Sequence, residues 1–316
     1  MMKRVYGVLG IASIMANWNA DFSGYPKATS KGEVFGSDKA FKYPMKRLWD
    51  DNGEKVLYIK SMTVSEPAKD GSIGLIPRTL NERYRQLFGE DDFKDAKKVL
   101  KNLFSAVDVK NFGATFAEKG INISITGAVQ FGQGFNKYEE TMPQEQQILS
   151  PFRDPGAAAK SKTGEEAKNS TLGTKIVSDE AHYFYPFSIN SKTYKEYVSL
   201  GVTDGYTEED YKKFKETALT AATSFATNAK AGCENEFGLF VETEEDTYLP
   251  NLSEYIQFVK AEHGQKNQIR VYCGQLLNTM AGKVTHVEIH YNPYTTELIN
   301  DINKANCYNI FTGEGL

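Results

Sequence analysis

FGSDKAFKYPMKRLWDDNGEKVLYIK, residues 35–60, follows the loop NWNADFSGYPK at 17–27, and the reading of the whole chain turns on this pair. The loop carries Asn17, Asn19, Asp21, Gly24 and Pro26, turn-forming residues that expose backbone and amide groups rather than build a core. Ser37 and Asp38 are helix-capping types. Beyond them Phe41, Met45, Leu48 and Trp49 recur at helical spacing as one apolar stripe, and Lys39, Lys42, Lys46 and Arg47 fall largely off it. Pro44 removes a backbone hydrogen bond, which predicts a kink or a late start. Residues 55–64 then alternate with period two and predict a strand. A helix held to a core by one face, offering lysines and its amino end, suits phosphate. A surface helix with solvated lysines is the competing reading.

Working outward, residues 5–15 predict a first core strand with Val5, Leu9, Ile11 and Ile14 buried. Residues 65–107 read as an insertion, a Gly/Pro loop followed by helices at 81–88 and 93–107. Arg78, Arg83, Arg85, Lys94, Lys97, Lys98 and Lys101 give it a positive flavour. A strand at 121–131 runs into FGQGFNKY, where Gly132 and Gly134 flank Gln133 and permit close backbone approach to a ligand, or a turn. That spacing matches neither a phosphate loop nor a dinucleotide fingerprint, so no nucleotide cofactor is expected. Residues 144–180 have few large apolar side chains and carry Arg153, Lys160, Lys162, Lys168 and Lys175. Such a segment predicts a protruding arm, an extended hairpin with strand character at 148–149 and 174–177. Next come an aromatic strand at 182–190 and a long helix at 207–230 with a Thr207–Asp210 capping box. Phe214, Ala218, Ala222 and Phe225 form the apolar side of that helix. A strand at 236–243, a helix at 251–263 and strands at 269–273 and 283–291 complete the chain. The pattern is that of one α+β domain on a mainly antiparallel sheet with insertions.

The net charge of −4 argues against a generic nucleic-acid binder, but the charge is uneven. Residues 1–60 hold ten Lys/Arg against six Asp/Glu, and residues 201–260 hold five against twelve. That asymmetry suits a focused basic groove, or stacking of one copy's acidic surface on the next copy's basic one. No apolar run is long enough for a membrane span. The first residues read as a core strand rather than a leader, and three cysteines without metal-ligand spacing suit a reducing cytoplasm. His286, Glu288 and His290 share one strand face, yet zinc usually recruits ligands from separate elements and no fourth candidate is near. His182 reads as a hydrogen-bonded core or rim histidine, and His263 as the end of a helix. No nucleophile motif is present. No cofactor, metal site or catalytic residue is predicted.

Taken together, RVYGVLGIASIMANWNADFSGYPK (4–27), FGSDKAFKYPMKRLW (35–49), ITGAVQFGQGFNKYEE (125–140), ILSPFR (148–153), GTKIVSDEAHYFYPFSIN (173–190) and YTEEDYKKFKE (206–216) resemble the backbone subunit of Cascade. This is the CRISPR-associated surveillance complex, and the likeness is to its type I-B version, over residues 4–292. The resemblance implies an RRM-like (ferredoxin-like) palm, helical fingers at 65–107 and a thumb hairpin at 144–180. It implies a non-enzymatic, cytoplasmic protein whose partners are CRISPR RNA, neighbouring copies of itself, other Cascade subunits and, through the guide, target DNA. The RNA-contacting positions it implies are Asn17, Asn19 and Lys27 in the loop, Ser37, Lys42, Tyr43 and Lys46 on the helix, and Gln130 and Gln133 at the strand end. In the thumb they are Arg153, Lys160, Lys162 and Lys175. The family's early basic pair is displaced here, since Tyr43 and Pro44 follow Lys42 and the pair comes at Lys46–Arg47. Relatives in type III complexes cut RNA with a loop aspartate, and Asp21 occupies a similar loop, so a metal-dependent endoribonuclease is the alternative.

Overall fold

The first strand is covered on both faces and paired on both edges. In a computed structural model, which describes residues 3–89, 93–118, 120–149 and 172–316 apart from the side chains of Leu149 and Leu172, nine strands form the main sheet. They are β1 (Arg4–Ala16), β2 (Phe35–Gly36), β3 (Val129–Phe131), β4 (Gly134–Asn136), β5 (Pro143–Leu149), β6 (Leu172–Ile189), β7 (Cys233–Thr243), β8 (Val284–Tyr291) and β9 (Asn306–Asn309). Their order is β9-β8-β7-β1-β6-β4-β2, with β3 and β5 also on β6. β1 is antiparallel to β6, from Val5↔Ile189 to Ala16↔Ser178, and to β7, from Arg4↔Thr243 to Ser13↔Cys233. The helices used below are α1 (Asp38–Asp51), α2 (Leu80–Phe88), α3 (Ala96–Phe104), α4 (Val107–Phe112) and α5 (Glu208–Ala218). α1 lies between β1 and β4, which flank β6, and α5 lies between β6 and β7, which flank β1. The result is two interleaved β-α-β units.

Successive residues of β1 enter different cores. Val5, Leu9 and Ile11 join Tyr183, Tyr185, Phe187, Phe41, Trp49 and Phe214 beneath α1 and α5. Tyr6 and Val8 join Phe184, Leu239 and Val241 against a small sheet of Ile256–Val259, Asn267–Val271 and Thr296–Asn300. Burial on both sides explains why β1 reads as an almost unbroken apolar run instead of an alternation. Ile14 is 43% exposed, contrary to expectation, because β1 outruns β7, whose pairing stops at Ser13↔Cys233.

Helix α1 starts on its Ser37 cap and continues through a buried Pro44, so the late start is not seen. The Trp49 indole donates to Thr217 Oγ1 at 2.8 Å, which ties α1 to α5. Five further expectations need correction. Residues 55–61 are not strand: Val56 and Leu57 are both buried, and the Leu57 and Tyr58 amides donate to the Asp108 carboxylate at 2.9 and 2.8 Å. Only Met62–Val64 is extended, and it pairs with Leu75–Pro77. The strand expected at 121–131 is two strands. Ile121–Thr126 pairs with Gly113–Glu118, and β3 joins β6. The break falls at Gly127, where a Cβ would lie 2.3 Å from the Phe112 carbonyl carbon.

The helix expected over 207–230 ends at Ala218, whose carbonyl accepts the Asn235 amide at 2.8 Å, and a short helix Ala221–Ser224 follows. Its Thr207–Asp210 capping box forms as expected. The helix expected at 251–263 is a single 3-10 turn, Leu252–Tyr255, followed by the strand Ile256–Val259. Ile256 and Phe258 alternate into the second core, so period two wins there, and His263 lies in a turn. The insertion is not uniformly a positive surface either. Arg83 is buried, bonded to the Val56 carbonyl at 2.7 Å and to Asp50 at 2.7 Å. In the arm, β5 and β6 pair from Leu149↔Leu172 to Pro143↔Ser178. This ladder runs past Ala16↔Ser178, the last pairing with β1. Residues 150–171, with Arg153, Lys160, Lys162 and Lys168, lie outside the described residues.

His182 fastens the second core. Its ring stacks on Phe258 with centroids 3.6 Å apart, Nδ1 meets Glu236 at 2.8 Å, and Nε2 meets Glu180 at 2.9 Å. Lys260 reaches the same Glu180 oxygen at 2.7 Å. Burial opposes charging the ring, but the Glu236 charge and the bonds to both carboxylates prevail and push it up to about 9. A raised folded pKa makes this contribution complete below the unfolded value, near 6.5, and loses it as pH rises through about 9. Unfolding free energy measured by urea titration should therefore drop by on the order of 3 kcal/mol across that window. His182→Gln should flatten the drop; an equally steep decline in that variant would disprove the assignment.

Candidate nucleic-acid interface

The candidate residues converge on the amino end of α1. Ser37 caps the helix by accepting the Ala40 amide at 3.3 Å. The Ser37 amide itself donates to Oδ1 of Asn19 at 2.8 Å, so loop 17–27 and the helix share a bond. Asp21 folds that loop. Its Oδ1 accepts from the Ser23 amide at 2.8 Å, the Ser23 hydroxyl at 2.7 Å and the Tyr25 amide at 3.1 Å. The Ser23 hydroxyl is the largest of the influences holding this carboxyl below its usual range. Asn17 is buried, and its amide donates to the carbonyls of Gly24 at 2.9 Å and Ile176 at 3.1 Å, which stitches the loop to the base of the arm. The Tyr25 hydroxyl bonds Glu145 in β5, a second stitch to the arm. Gly36 makes the junction possible: a Cβ there would lie 1.7 Å from the Tyr185 hydroxyl, which already accepts the Trp18 indole at 2.6 Å.

Strand register brings a distant candidate to the same place. β2 pairs with β4 as Phe35↔Phe135 and Gly36↔Gly134, and Ser37 and exposed Gln133 are the residues that adjoin this last pair. Lys42 lies one turn into α1, 2.9 Å from Asp38 and 5.2 Å from the Phe112 ring centre. The Lys27 ammonium lies 5.6 Å from the Phe35 ring centre, and Tyr43 is 42% exposed with its ring against Phe225. Lys175 sits on the arm and reaches Asn228 Oδ1 at 3.4 Å. Asn17, Asn19, Lys27, Ser37, Lys42, Tyr43, Gln133 and Lys175 thus belong to one connected region.

Two candidates lie elsewhere. Lys46 turns inward: it donates to the Tyr58 carbonyl at 3.3 Å, lies 3.9 Å from buried Asp108, and burial lowers its pKa. Gln130 alternates onto the opposite face of the sheet from Phe131, beside a groove of about 390 Å³ lined by Tyr6, Pro186 and Leu249. Its amide donates to the Gly127 carbonyl at 2.8 Å. Glu288 accepts from Lys215 at 2.9 Å, His286 at 2.9 Å and His290 at 3.0 Å. Burial alone would raise the Glu288 pKa, but these donors hold it far below the usual carboxylate range.

Residues 3–273 match the family described as CRISPR-associated protein Cas7. The chain belongs to that family. Among solved structures, a chain of one titled "CRISPR RNA-guided surveillance complex, pre-nicking" aligns over 95% of this protein and 96% of its own length, with TM-score 0.56 and 11% identity. Another, titled "CRISPR RNA-guided surveillance complex", covers 92% of this protein and 91% of its own length, with TM-score 0.49 and 12% identity. At 11% identity the first likeness is one of fold: a mixed α+β protein built as that chain is built. No curated protein sequence matches.

Reading the sequence missed Lys230 in this Cas7 protein, because a helix extended to that residue would leave it on an exposed turn. Instead it folds under loop 17–27, among small and polar neighbours that carry no periodic signal. The two helix lysines should differ on substitution. Lys46→Ala removes the cation beside buried Asp108 and should cost about 2 kcal/mol of folding stability. Lys42→Ala breaks an i,i+4 pair and removes a mostly buried stem lying over the Phe112 and Phe131 rings, but strands no buried carboxylate, and should cost about 1 kcal/mol. Chemical unfolding of both variants checks the contrast, and equal losses would contradict it.

Proposed function

We propose that this Cas7 protein is the CRISPR RNA-binding backbone subunit of a Cascade surveillance complex, copies of which follow one another along a single guide. The observation that carries this reading is the family match across residues 3–273. The main sheet is the RRM-like palm in this reading, supported by the order β7-β1-β6-β4 with α1 and α5 in its two β-α-β crossovers. Residues 65–107 are the fingers and 144–180 the thumb, of the type I-B pattern. The subunit is non-catalytic and acts in the cytoplasm; among the described residues no helix is long and apolar enough to cross a membrane. The Asp21 carboxylate, engaged by Ser23 and Tyr25, suits shaping a loop better than holding a metal for RNA cleavage.

The mechanism is electrostatic. A guide-holding protein binds backbone and leaves base edges to pair with target. Ser37 and the first amides of α1 receive a phosphate, as helix amino ends do. Lys42 and Lys27 supply charge, and Asn19 and Gln133 supply neutral hydrogen-bonding groups beside them. Asp38 competes for Lys42, so a phosphate must draw that ammonium from a partner 2.9 Å away. Tyr43 offers a ring for stacking, and Lys175 adds a cation on the thumb side. Stacked copies and other Cascade subunits complete the channel.

Co-expression with a CRISPR array should yield RNA of defined length bound to the chain. With single-stranded RNA, Lys27→Ala plus Lys42→Ala should weaken binding and flatten the plot of log affinity against log salt by about 1.4, roughly 0.7 for each phosphate contact. Absence of copurified RNA, or an unchanged slope, defeats the reading.

A further inference from the structure

Residues 225–232 touch the loop, the arm and the helix of the proposed interface. The Lys230 ammonium enters the molecule beneath loop 17–27, donating to the Asn17 carbonyl at 2.6 Å and to the Trp18 carbonyl, with the Trp18 ring centre 5.3 Å away. The Asn17 amide donates to the Ala229 carbonyl at 2.9 Å, and the Ile14 amide to the Gly232 carbonyl at 2.8 Å. Asn228 accepts Lys175 from the arm at 3.4 Å, and the Phe225 ring lies 5.5 Å from Tyr43 of α1. The arm is remote in sequence from the loop and the helix, which follow one another in the chain.

We infer that Lys230 is a positioning residue for RNA binding: by gathering the Asn17 and Trp18 carbonyls it fixes the loop so that Asn19 meets the amino end of α1, without itself touching RNA. This rests on the RNA-binding reading above. The physical ground is the chemistry of the contacts. Two carbonyls converging on one point repel each other unless a donor lies between them, and a buried cation serves both at once. Removing it leaves two acceptors short of partners and loosens the loop that they belong to. A loop in its competent form only a tenth of the time binds about tenfold more weakly. Burial lowers the Lys230 pKa to about 8, with the charge of a Cys233 thiolate acting in the opposite sense and the two carbonyl bonds also favouring the ammonium. Burial also raises that thiol's own pKa, so Cys233 is neutral through the same range. Lys230 therefore begins to lose its charge just above neutral pH.

The test measures binding of the full-length chain to an oligoadenylate, whose bases do not titrate above pH 7. Lys230→Met should weaken binding by about tenfold at pH 7 while leaving the salt slope as in the unsubstituted protein, since no phosphate contact is lost. Lys230→Arg should bind as the unsubstituted protein does at pH 7. The unsubstituted protein should weaken between pH 7 and 9, and the arginine variant should hold its affinity there. Thermal unfolding confirms that each variant is folded; should the methionine variant not fold, the arginine variant's pH profile decides alone. Full affinity in a folded Lys230→Met protein overturns the inference, as does a slope reduced by about 0.7, which would mark direct phosphate contact. An arginine variant that weakens with pH as the unsubstituted protein does also overturns it. If the unsubstituted chain binds no oligoadenylate at all, the RNA-binding reading itself falls.

Discussion

From Val5 to Ser13, strand β1 has no solvent to fall back on. Its amides and carbonyls are paired with β6 on one edge and β7 on the other, and its side chains enter two separate apolar cores. A buried backbone group left unpaired costs free energy comparable to a lost hydrogen bond, so β1 fixes the register of both neighbours. Register then decides placement across the molecule. β6 carries β3, β4 and the arm strand β5, and β4 carries β2, which leads directly into Ser37 and α1. The candidate interface is therefore a consequence of how one strand is satisfied.

Charge follows the same economy. Several cations that would look available on an extended chain are used inside the fold. Arg83 is buried against Asp50 and the Val56 carbonyl, Lys46 against Tyr58 and Asp108, and Lys230 against two carbonyls of the loop. Such groups organise backbone that has left regular structure, where the peptide groups lack ladder partners. What remains near the amino end of α1 includes Lys27, exposed Lys39, Lys42 in its pair with Asp38 and, on the arm, Lys175. A protein of net charge −4 can still present a cationic strip, because field is local and screened beyond about 10 Å.

Some of this was legible in the residues. The Phe41, Met45 and Trp49 stripe, the Ser37 cap and the Thr207–Asp210 box gave correct helix starts, since each depends on neighbours within a turn or two. Errors came where a distant group ended or redirected an element. Asn235 stops α5 by taking the Ala218 carbonyl, Asp108 holds residues 57–58 out of a strand, and the second core draws Ile256 and Phe258 into period two. None of these partners is near in sequence, so no window of local pattern contains them.

For this Cas7 protein the sequence by itself determined the family, the mixed α+β class, the loop and capped helix that precede the strand pairings, and the residue types suited to a phosphate. Only tertiary structure decided which of those residues share a surface. It set Gln133 beside Ser37 by strand register, put Gln130 on the far face, turned Lys46 inward and brought Lys230 beneath a loop more than two hundred positions earlier. The reason is physical: residue chemistry and helical periodicity are local properties of a chain, whereas exposure and partnership depend on which remote backbone needs its hydrogen bonds met.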